Sequence, residues 1–365
     1  MYLIIFGSSV VSAYWNGAAT YYRGMCRALH ARGHRIRFVE QDIYERQQHR
    51  DLPADPPYCE VRVVTGWAAL VRELESARAE ADLILKCNDT GAFDREMEEW
   101  LVGAAGGARG AGGAGPSGPP VAFWDVDAPA TLAECAAPGS YLRPLIPRFA
   151  GIFTYGGGAP VVDGYRALGA RCVVPVYNAV DPEAYHPVAP SDDYACDLFF
   201  MGNRMPDREA RFQHFFLGAA ERVPKARFLL GGAGWESLAL PPSVRSIGHC
   251  PTPLHPQLNC SARLVLNLNR DAMAATGFSP PTRVFEATAC GACVVTDAWE
   301  GVAQFFTPGA EILVAQGPED LAGYIADISP GTAQAIGRRA RQRVLRDHTY
   351  ASRAAVFERA AGELL

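Results

Sequence analysis

The sequence alternates between short apolar segments of strand length and amphipathic segments of helix length, and this alternation occurs in two successive series. Such a pattern predicts parallel sheets whose faces are covered by helices. The first series of predicted strands lies at residues 2–6, 35–40, 61–64, 82–86, 121–124, 150–154 and 171–174. The second lies at residues 197–201, 226–230, 244–247, 263–268, 292–296 and 311–315. The predicted helices lie at residues 18–32, 67–79, 94–102, 160–168, 207–222, 281–290 and 334–364.

A turn-rich segment at residues 177–187 separates the two series, with prolines at 182 and 187. A chain of 365 residues also exceeds what one hydrophobic core usually serves. We therefore predict an α/β protein of two Rossmann-like, doubly wound domains, residues 1–178 and 195–365, joined by a hinge at 179–194. The last helix is expected in the second domain or packed back on the first. Because ligands bind at the carboxyl ends of such strands, we expect the active site in a cleft between the domains.

Composition and charge argue against several classes of function. The net charge of −5 provides no basic surface for nucleic acid or an anionic membrane. The apolar segments are far shorter than the roughly 20 residues that a membrane span needs. Residues 1–7 have the character of a buried strand and lack the basic region of a signal peptide. The ten cysteines are scattered, and the close pair Cys290 and Cys293 has no second pair beside it, so we interpret them as buried residues of a cytoplasmic protein.

The segment from residue 103 to 120 consists almost entirely of Gly, Ala, Pro and Ser. It offers too little apolar surface to offset the entropy of ordering, so we interpret it as a flexible surface loop. A phosphate-binding glycine loop would follow a strand and open a helix. This segment instead precedes the predicted strand 121–124, which makes the phosphate interpretation the weaker one.

The strongest pattern for chemistry lies around the predicted helix start at residues 279–286. Ser279 is a favourable N-cap, and the two prolines after it suit a first helical turn. The unpaired N–H groups and dipole of such a helix start form a binding site for a diphosphate. Glu286, about two turns into the helix, can accept hydrogen bonds from both ribose hydroxyls of a nucleotide. The alternatives are an ordinary capped helix and a surface ion pair between Glu286 and Arg283.

The chain resembles glycosyltransferases of the GT-B fold, particularly the CgeB-like, or spore-maturation, branch. The resemblance covers nearly the whole chain, and each motif alone is weak, but their order and spacing are fairly specific. It rests on residues 16–24, 31–34, 124–129, 178–181, 201–208, 279–286 and 297–301. It implies transfer of a sugar from a UDP- or dTDP-sugar to an acceptor hydroxyl or amine, in two Rossmann-like domains that face each other across a cleft.

The resemblance also implies roles for individual residues on the donor side. Arg204, next to Gly202 and Asn203, matches the position of a basic residue on the donor diphosphate, although a surface arginine is the alternative. Glu286 matches the glutamate that binds the donor ribose in many GT-B families. Three further residues are expected near the donor: Thr282 and Arg283 beside the phosphates, and His249 near the base or sugar, where a structural histidine is the alternative. Phe278 occupies the position of a second glutamate of many retaining enzymes, so the stereochemical outcome stays open.

The first half supplies candidates for the acceptor side. Asp125 and Asp127 spell a DxD motif, which binds a metal in glycosyltransferases of the GT-A fold. Here basic groups already serve the diphosphate, so we expect no metal or cofactor and interpret one aspartate as the general base. The alternative is that both aspartates cap the next helix. The acceptor is expected to contact the loops that carry Asn16, Gly17, Thr20, Lys86 and Asp89.

Two other functions remain open from the sequence. A nucleotide-sugar epimerase can share this architecture and would need no acceptor. A nucleotide-sugar-binding protein without catalysis is the second, and Phe278 at the missing-glutamate position is compatible with it. Fold resemblance alone does not separate these functions, because one architecture hosts many chemistries.

Overall fold

The structure is a computed structural model that describes residues 1–14, 16–52, 54–88, 90–103 and 118–365. Most of the glycine-rich segment predicted as a surface loop, residues 104–117, lies outside the described residues, as does Asp89. The chain divides into two compact units, Met1–Tyr177 with Tyr350–Leu365, and Asn178–Thr349. The predicted hinge at 179–194 stays a prediction.

In the described residues of the first unit, seven parallel strands form one sheet in the order β3-β2-β1-β4-β5-β6-β7. The strands are β1 (Tyr2–Phe6), β2 (Arg35–Gln41), β3 (Glu60–Val64), β4 (Leu83–Cys87), β5 (Val121–Asp125), β6 (Gly151–Thr154) and β7 (Val173–Pro175). The helices are α1 (Ala19–Ala31), α2 (Trp67–Glu80), α3 (Asp94–Val102), α4 (Ala128–Ala136) and α5 (Gly158–Ala167), with a 3-10 turn at Ile146–Arg148. Helices cover the sheet, so its central strands are almost entirely buried, including Lys86 in β4 and Asp125 in β5.

In the second unit, six parallel strands form a sheet in the order β10-β9-β8-β11-β12-β13. The strands are β8 (Cys196–Met201), β9 (Phe228–Gly231), β10 (Val244–Gly248), β11 (Ala262–Asn267), β12 (Val294–Asp297) and β13 (Leu313–Ala315). The helices are α6 (Pro206–Arg211), α7 (Gly218–Arg222), α8 (His255–Ser261), α9 (Asp271–Thr276), α10 (Thr282–Ala289), α11 (Val302–Phe305), α12 (Pro318–Asp327) and α13 (Pro330–Asp347). A π-helical segment, Phe212–Leu217, joins α6 to α7, and 3-10 turns lie at Asp192–Tyr194 and Thr252–Leu254.

The last helix, α14 (Tyr350–Gly362), belongs to the first unit. Phe357 on this helix packs against Trp124 and Phe153 of the first sheet, with ring centroids 5.4 and 4.7 Å apart. Gly24 on α1 lets Tyr350 approach closely, since a Cβ there would lie 2.2 Å from its ring. The C-terminal residues are therefore part of the first core.

Strand order reverses once in each sheet, between β1 and β4 and between β8 and β11. At such a reversal the following loops diverge, and the crevice between them is the usual ligand site of an open α/β sheet. In the second unit this point lies between the loop that begins at Gly202 and the loop that begins at Leu268. The topology therefore indicates where a ligand of this unit would bind.

The predicted α/β class with two parallel sheets is confirmed, and each predicted strand matches one whose ends lie within two residues. Several predicted helices differ. The single helix at 207–222 is divided by the π-helical segment, and the tail helix at 334–364 is divided at His348 and Thr349. The short helices α8 and α9 were not predicted, because the sequence has no capping signal for either of them. Neither helix has a side-chain cap in the structure. No helix among the described residues is both long and apolar enough to cross a membrane.

The close packing of α13 on the end of α10 generates a stability prediction. A Cβ at Gly337 would lie 2.0 Å from the carbonyl oxygen of Gly291, so Gly337→Ala is expected to destabilise the protein by about 2 kcal/mol. The control is Gly323→Ala in α12, where a Cβ meets nothing within 4 Å and the gain should be about 0.5–1 kcal/mol. Urea unfolding measures both; equal effects would contradict the packing.

Candidate functional site

The loop after β8 is fixed to the loop after β9 by several hydrogen bonds. Gly202 N donates to Gly231 O at 2.9 Å, and Trp235 Nε1 donates to Gly202 O at 2.7 Å. The amide oxygen of Asn203 accepts from Ala233 N at 3.0 Å. Gly232 has a φ of 120°, and a Cβ there would lie 2.2 Å from Gly202 O. The structure therefore gives Gly202 and Asn203 a clear part in shaping this loop; their contact with a donor stays a prediction.

Arg204 follows in the same loop, but its guanidinium is already bound within the protein. It donates from Nε to a Glu209 oxygen at 3.0 Å and from a terminal nitrogen to Ser237 Oγ at 3.1 Å. Its side chain is partly exposed. A phosphate would have to compete with Glu209 for this guanidinium, so the predicted phosphate role of Arg204 stays a prediction without geometric support.

Arg208, which the sequence analysis did not select, lies against the Gly202 loop. A Cβ on Gly202 would be 2.6 Å from its terminal nitrogen, so glycine makes room for the guanidinium. Its Nε is buried and has no hydrogen-bond partner among the described residues, while the other terminal nitrogen donates to Met205 Sδ at 3.3 Å. Burial, together with the smaller effect of the positive charge of Arg283, lowers the pKa of Arg208 to about 10. The protein thus holds two like charges together.

Arg283 lies in the first turn of α10, where it was expected beside phosphates. A terminal nitrogen of its guanidinium is buried without a partner among the described residues, and burial lowers its pKa. The hydroxyl of Ser279, just before the helix, is buried and unpartnered in the same way. Buried polar atoms normally have partners, so three unpaired groups on Arg208, Arg283 and Ser279 indicate a site for oxygen-rich anions.

The start of α10 differs from the prediction in one respect. Pro281, not Ser279, occupies the N-cap position, and no side chain caps the helix. Ser279 lies two residues earlier, because the two prolines hold the chain extended before the helix begins, and its hydroxyl therefore does not act as a cap. The first-turn amides of Thr282 and Arg283 are the kind of N–H groups that have no partner within a helix. Together with the helix dipole they favour an anion at this end.

Glu286 lies one turn after Arg283 and is partly buried. Burial raises its pKa, while the charge of Arg283 and a hydrogen bond from the Tyr185 hydroxyl oppose this shift. The Tyr185 hydroxyl also lies 3.4 Å from His255 Nδ1, and His255 Nε2 lies 3.0 Å from Cys250 O. A carbonyl only accepts hydrogen bonds, so Nε2 carries the proton, and burial lowers the pKa of His255 to about 4. The Tyr185 hydroxyl has one proton, which it gives to Glu286, and the unprotonated Nδ1 of His255 has none to give in return. Tyr185 therefore supports Glu286, a contact that only the fold reveals.

The remaining two donor-side candidates lie near the same edge of the sheet. Phe278 is buried, and a Cβ at Gly301 would lie 2.6 Å from its ring, so the ring packs against the loop after β12. The backbone of Gly301 also donates to Gly277 O at 2.7 Å. His249 is exposed directly after β10. Neither residue contacts Arg208 or Glu286 in the hydrogen bonds of the described chain, and their roles stay predictions.

The two aspartates of the DxD motif have different environments in the first unit. Asp125 is fully buried and accepts from Thr131 Oγ1 at 3.0 Å, from Asp127 N at 2.9 Å and from the Tyr165 hydroxyl. Burial raises its pKa to about 7. This environment corrects the catalytic interpretation of Asp125, since a side chain with no exposed atom cannot reach an acceptor hydroxyl. Asp127 is partly exposed at the N-cap position of α4 and stays the candidate base.

The acceptor-side candidates also differ in exposure. Asn16 is buried, with its amide donating to Ser9 O at 2.9 Å and Ser12 O at 3.1 Å, which suits a loop-shaping role. Gly17 is exposed and Thr20 is partly buried at the start of α1.

Lys86 has no exposed surface, contrary to the lining role expected of it. Its ammonium donates to Cys87 O at 2.6 Å, to Asp94 at 2.7 Å and to Glu98 at 3.0 Å. These contacts use all three N–H donors, so this geometry favours a structural role for Lys86. Asp89 lies outside the described residues. Within the part of the chain that is described, no group of three or more His, Cys, Asp or Glu side chains is arranged to hold a metal ion.

Comparison with known proteins finds a family match to part of the chain and solved structures of the same fold. Residues 208–359, which include Arg208, Arg283 and Glu286, match the model of the glycosyl transferase-like family. The fold is GT-B. A sucrose-phosphate synthase from Thermosynechococcus elongatus superposes with a TM-score of 0.71 at 14% identity, covering 100% of this chain and 99% of that chain. No curated protein sequence matches the chain.

Two further solved structures have the same fold. HepE from Anabaena, in complex with UDP and glucose, superposes with a TM-score of 0.68 at 15% identity, covering 100% of both chains. The lipopolysaccharide outer core galactosyltransferase WaaB superposes with a TM-score of 0.61 at 12% identity, again over 100% of both chains. The coarse resemblance to GT-B glycosyltransferases is therefore confirmed, and the CgeB-like branch stays a prediction.

The electrostatic strain at Arg208 predicts an unusual stability result. Because Arg208 is repelled by Arg283 and has an unpaired Nε, Arg208→Met should leave the ligand-free protein as stable or up to about 2 kcal/mol more stable. The matched control is Arg211→Met, one turn later. Arg211 donates to Asp271 at 2.7 Å and to buried Asp297 at 2.9 Å, so its loss should cost roughly 3 kcal/mol.

Chemical denaturation of the two variants without nucleotide measures this difference. The interpretation requires Arg208→Met to be the more stable variant. A loss at Arg208 as large as that at Arg211 would mean that Arg208 is a structural residue, and the assignment of an anion site would be wrong.

Proposed function

We propose that this protein is a glycosyltransferase that moves a sugar from a UDP- or dTDP-sugar to an acceptor hydroxyl or amine. The observation that carries the proposal is the pair Arg208 and Arg283, with unpaired buried N–H groups at the start of α10. The family match of residues 208–359 supports it, as do structures of the same fold in which HepE is bound to UDP and to UDP-glucose.

The diphosphate of the donor would bind between the two arginines and the first turn of α10. Each guanidinium can donate two parallel hydrogen bonds to phosphate oxygens, and the helix start adds amide donors from Thr282 and Arg283. Binding would pair both buried charges and the Ser279 hydroxyl at once. The same groups stabilise the negative charge that develops on the nucleoside diphosphate as the sugar leaves, which lowers the barrier for transfer.

Glu286 would accept the two ribose hydroxyls of the nucleotide. It lies one helical turn beyond Arg283, so a nucleotide whose phosphates rest on the helix start extends along α10 toward it. The Tyr185 hydroxyl lies between this carboxylate and the neutral imidazole of His255. Tyr185 would act as a positioning residue that holds Glu286 in its orientation.

Acceptor activation is assigned to the first unit on weaker grounds. Asp127 is the partly exposed aspartate of the DxD pair, and it would act as the general base for the acceptor hydroxyl. Gly17 and Thr20 would line the acceptor side, with Asn16 shaping their loop. Since arginines already neutralise the diphosphate, the proposed reaction requires no metal and no cofactor.

Nucleotide binding provides the test. Thermal unfolding is measured with UDP, dTDP, GDP, CDP and ADP, for the wild type and for Glu286→Ala and Glu286→Gln. At about 100 times its dissociation constant, the preferred nucleotide adds about 2.7 kcal/mol, which corresponds to a rise of roughly 5 °C. Loss of the bonds to ribose should weaken binding in the Glu286 variants by roughly tenfold to a hundredfold.

The control variant is Glu319→Ala, which removes an exposed glutamate from α12 and should leave the nucleotide shift unchanged. Absence of a shift with every nucleotide would overturn the donor site. Sugar transfer is then followed as nucleoside diphosphate released from the matching nucleotide sugar in the presence of candidate acceptors. Binding without any turnover would favour a non-catalytic binding protein, and conversion of the donor sugar without acceptor would favour an epimerase.

A further inference from the structure

A cavity of about 530 Å³ lies at the amino-terminal edge of the six-stranded sheet, on the opposite edge from the donor site. Its wall includes the first residues of β8 and β11 and the turn that leads into β12. The sulfur-bearing residues that line it are Cys196, Cys260, Cys290 and Cys293. A cavity of this size is in the range of small-molecule sites. None of the donor-binding groups described above belongs to its wall.

Two of these cysteines contact each other. Cys260 is the penultimate residue of α8, and Cys290 directly follows α10. The Cys260 thiol donates to Cys290 O at 3.5 Å, and the side chains of the two cysteines are also in hydrogen-bond contact. Formation of a disulfide needs the sulfurs to approach about 2 Å, which is a small movement from hydrogen-bond contact.

The surroundings of Cys260 favour its thiolate. Besides the contact with Cys290, the backbone N–H of Val188 donates to Cys260 Sγ at 3.4 Å. Hydrogen bonding, first with the Cys290 side chain and then from the Val188 N–H, lowers the pKa of Cys260. Burial instead raises the pKa of Cys196 and of Cys293 to about 12. Since the thiolate is the nucleophile, Cys260 is the reactive thiol of the cavity.

Cys260 and Cys290 differ in solvent exposure, and this difference gives them different roles in a thiol reaction. Both cysteines line the cavity, but Cys260 is partly exposed whereas Cys290 is buried. An attacking thiol needs access to its substrate, and a resolving thiol needs only contact with its partner.

We propose that Cys260 and Cys290 form a thiol–disulfide exchange site for a small disulfide, such as oxidised glutathione, that enters the cavity. The Cys260 thiolate attacks one sulfur of the disulfide, forms a mixed disulfide and releases one thiolate. That thiolate takes the proton from Cys290. The Cys290 sulfur then attacks the Cys260 sulfur, forms the internal disulfide and releases the second thiolate. The small disulfide is reduced to two thiols while the two cysteines are oxidised.

The first experiment needs no substitution. The reduced wild-type protein is treated briefly with iodoacetamide between pH 5 and 9, and labelling is quantified by peptide mass spectrometry. We expect Cys260 to be labelled at pH 7 roughly tenfold faster than Cys172, with a midpoint at lower pH than that of Cys172. Cys172 is the internal control, because it is also partly exposed but burial raises its pKa. Equal rates, or a Cys260 midpoint above pH 8, would overturn the proposal.

The second experiment follows the exchange itself. With oxidised glutathione at pH 7, the wild type should form a Cys260–Cys290 disulfide and lose two hydrogens in mass. Cys290→Ser should instead accumulate the mixed disulfide at Cys260, and Cys260→Ser should not react at either position. Cys293→Ser, in the same cavity, is the matched control and should behave as the wild type. A disulfide to any other cysteine, or no mixed disulfide in Cys290→Ser, would overturn the proposal.

Discussion

Two arginine side chains, Arg208 and Arg283, lie near enough for their charges to repel, each has a buried guanidinium nitrogen without a partner among the described residues, and the interpretation of the site depends on this pair. Like charges in a medium of low polarity repel strongly, and here that repulsion accompanies burial in lowering the pKa of Arg208. The repulsion between the two guanidiniums lowers the stability of the ligand-free protein, so a compensating interaction is expected when a ligand binds. A doubly charged anion that pairs with both guanidiniums provides this interaction, because it replaces repulsion by two sets of charge-assisted hydrogen bonds.

The loops around the pair are, in contrast, joined by many hydrogen bonds. Asp297, at the end of β12, accepts from Asn269 and from Arg211, and so joins the loop after β11 to α6. The loops after β8 and β9 are joined through Gly202 and Ala233 in a similar way. A rigid support of this kind is what a preorganised site requires, since the binding groups then need little rearrangement when the ligand arrives. Buried polar atoms without a partner also occur elsewhere among the described residues, and those of Arg283 and Ser279 lie at one end of α10.

Much of the fold and part of the site followed from the sequence. The strands were predictable because buried parallel strands are nearly continuous apolar segments. Arg283 and Glu286 were predictable as site residues because helical spacing places both near the same helix start. Arg208 could not be predicted, because it lies four residues after Arg204 in a polar segment. Only the geometry of α6 places the guanidinium of Arg208, and not that of Arg204, against Gly202. The burial of Asp125 and Lys86 could not be predicted from the sequence either. A polar residue at a strand end can face the surface or an internal hydrogen-bond network, and the sequence does not distinguish the two. The contact between Cys260 and Cys290 joins helices 30 residues apart, and the sequence shows only two cysteines.

A crystal structure of the protein with bound UDP tests the central claim most directly. The account predicts phosphate oxygens within about 3 Å of guanidinium nitrogens of both Arg208 and Arg283, and ribose hydroxyls on the carboxylate of Glu286. The Arg204–Glu209 pair should remain intact in that complex. Phosphates bound by Arg204 with Arg208 unoccupied, or UDP bound away from the start of α10, would contradict it.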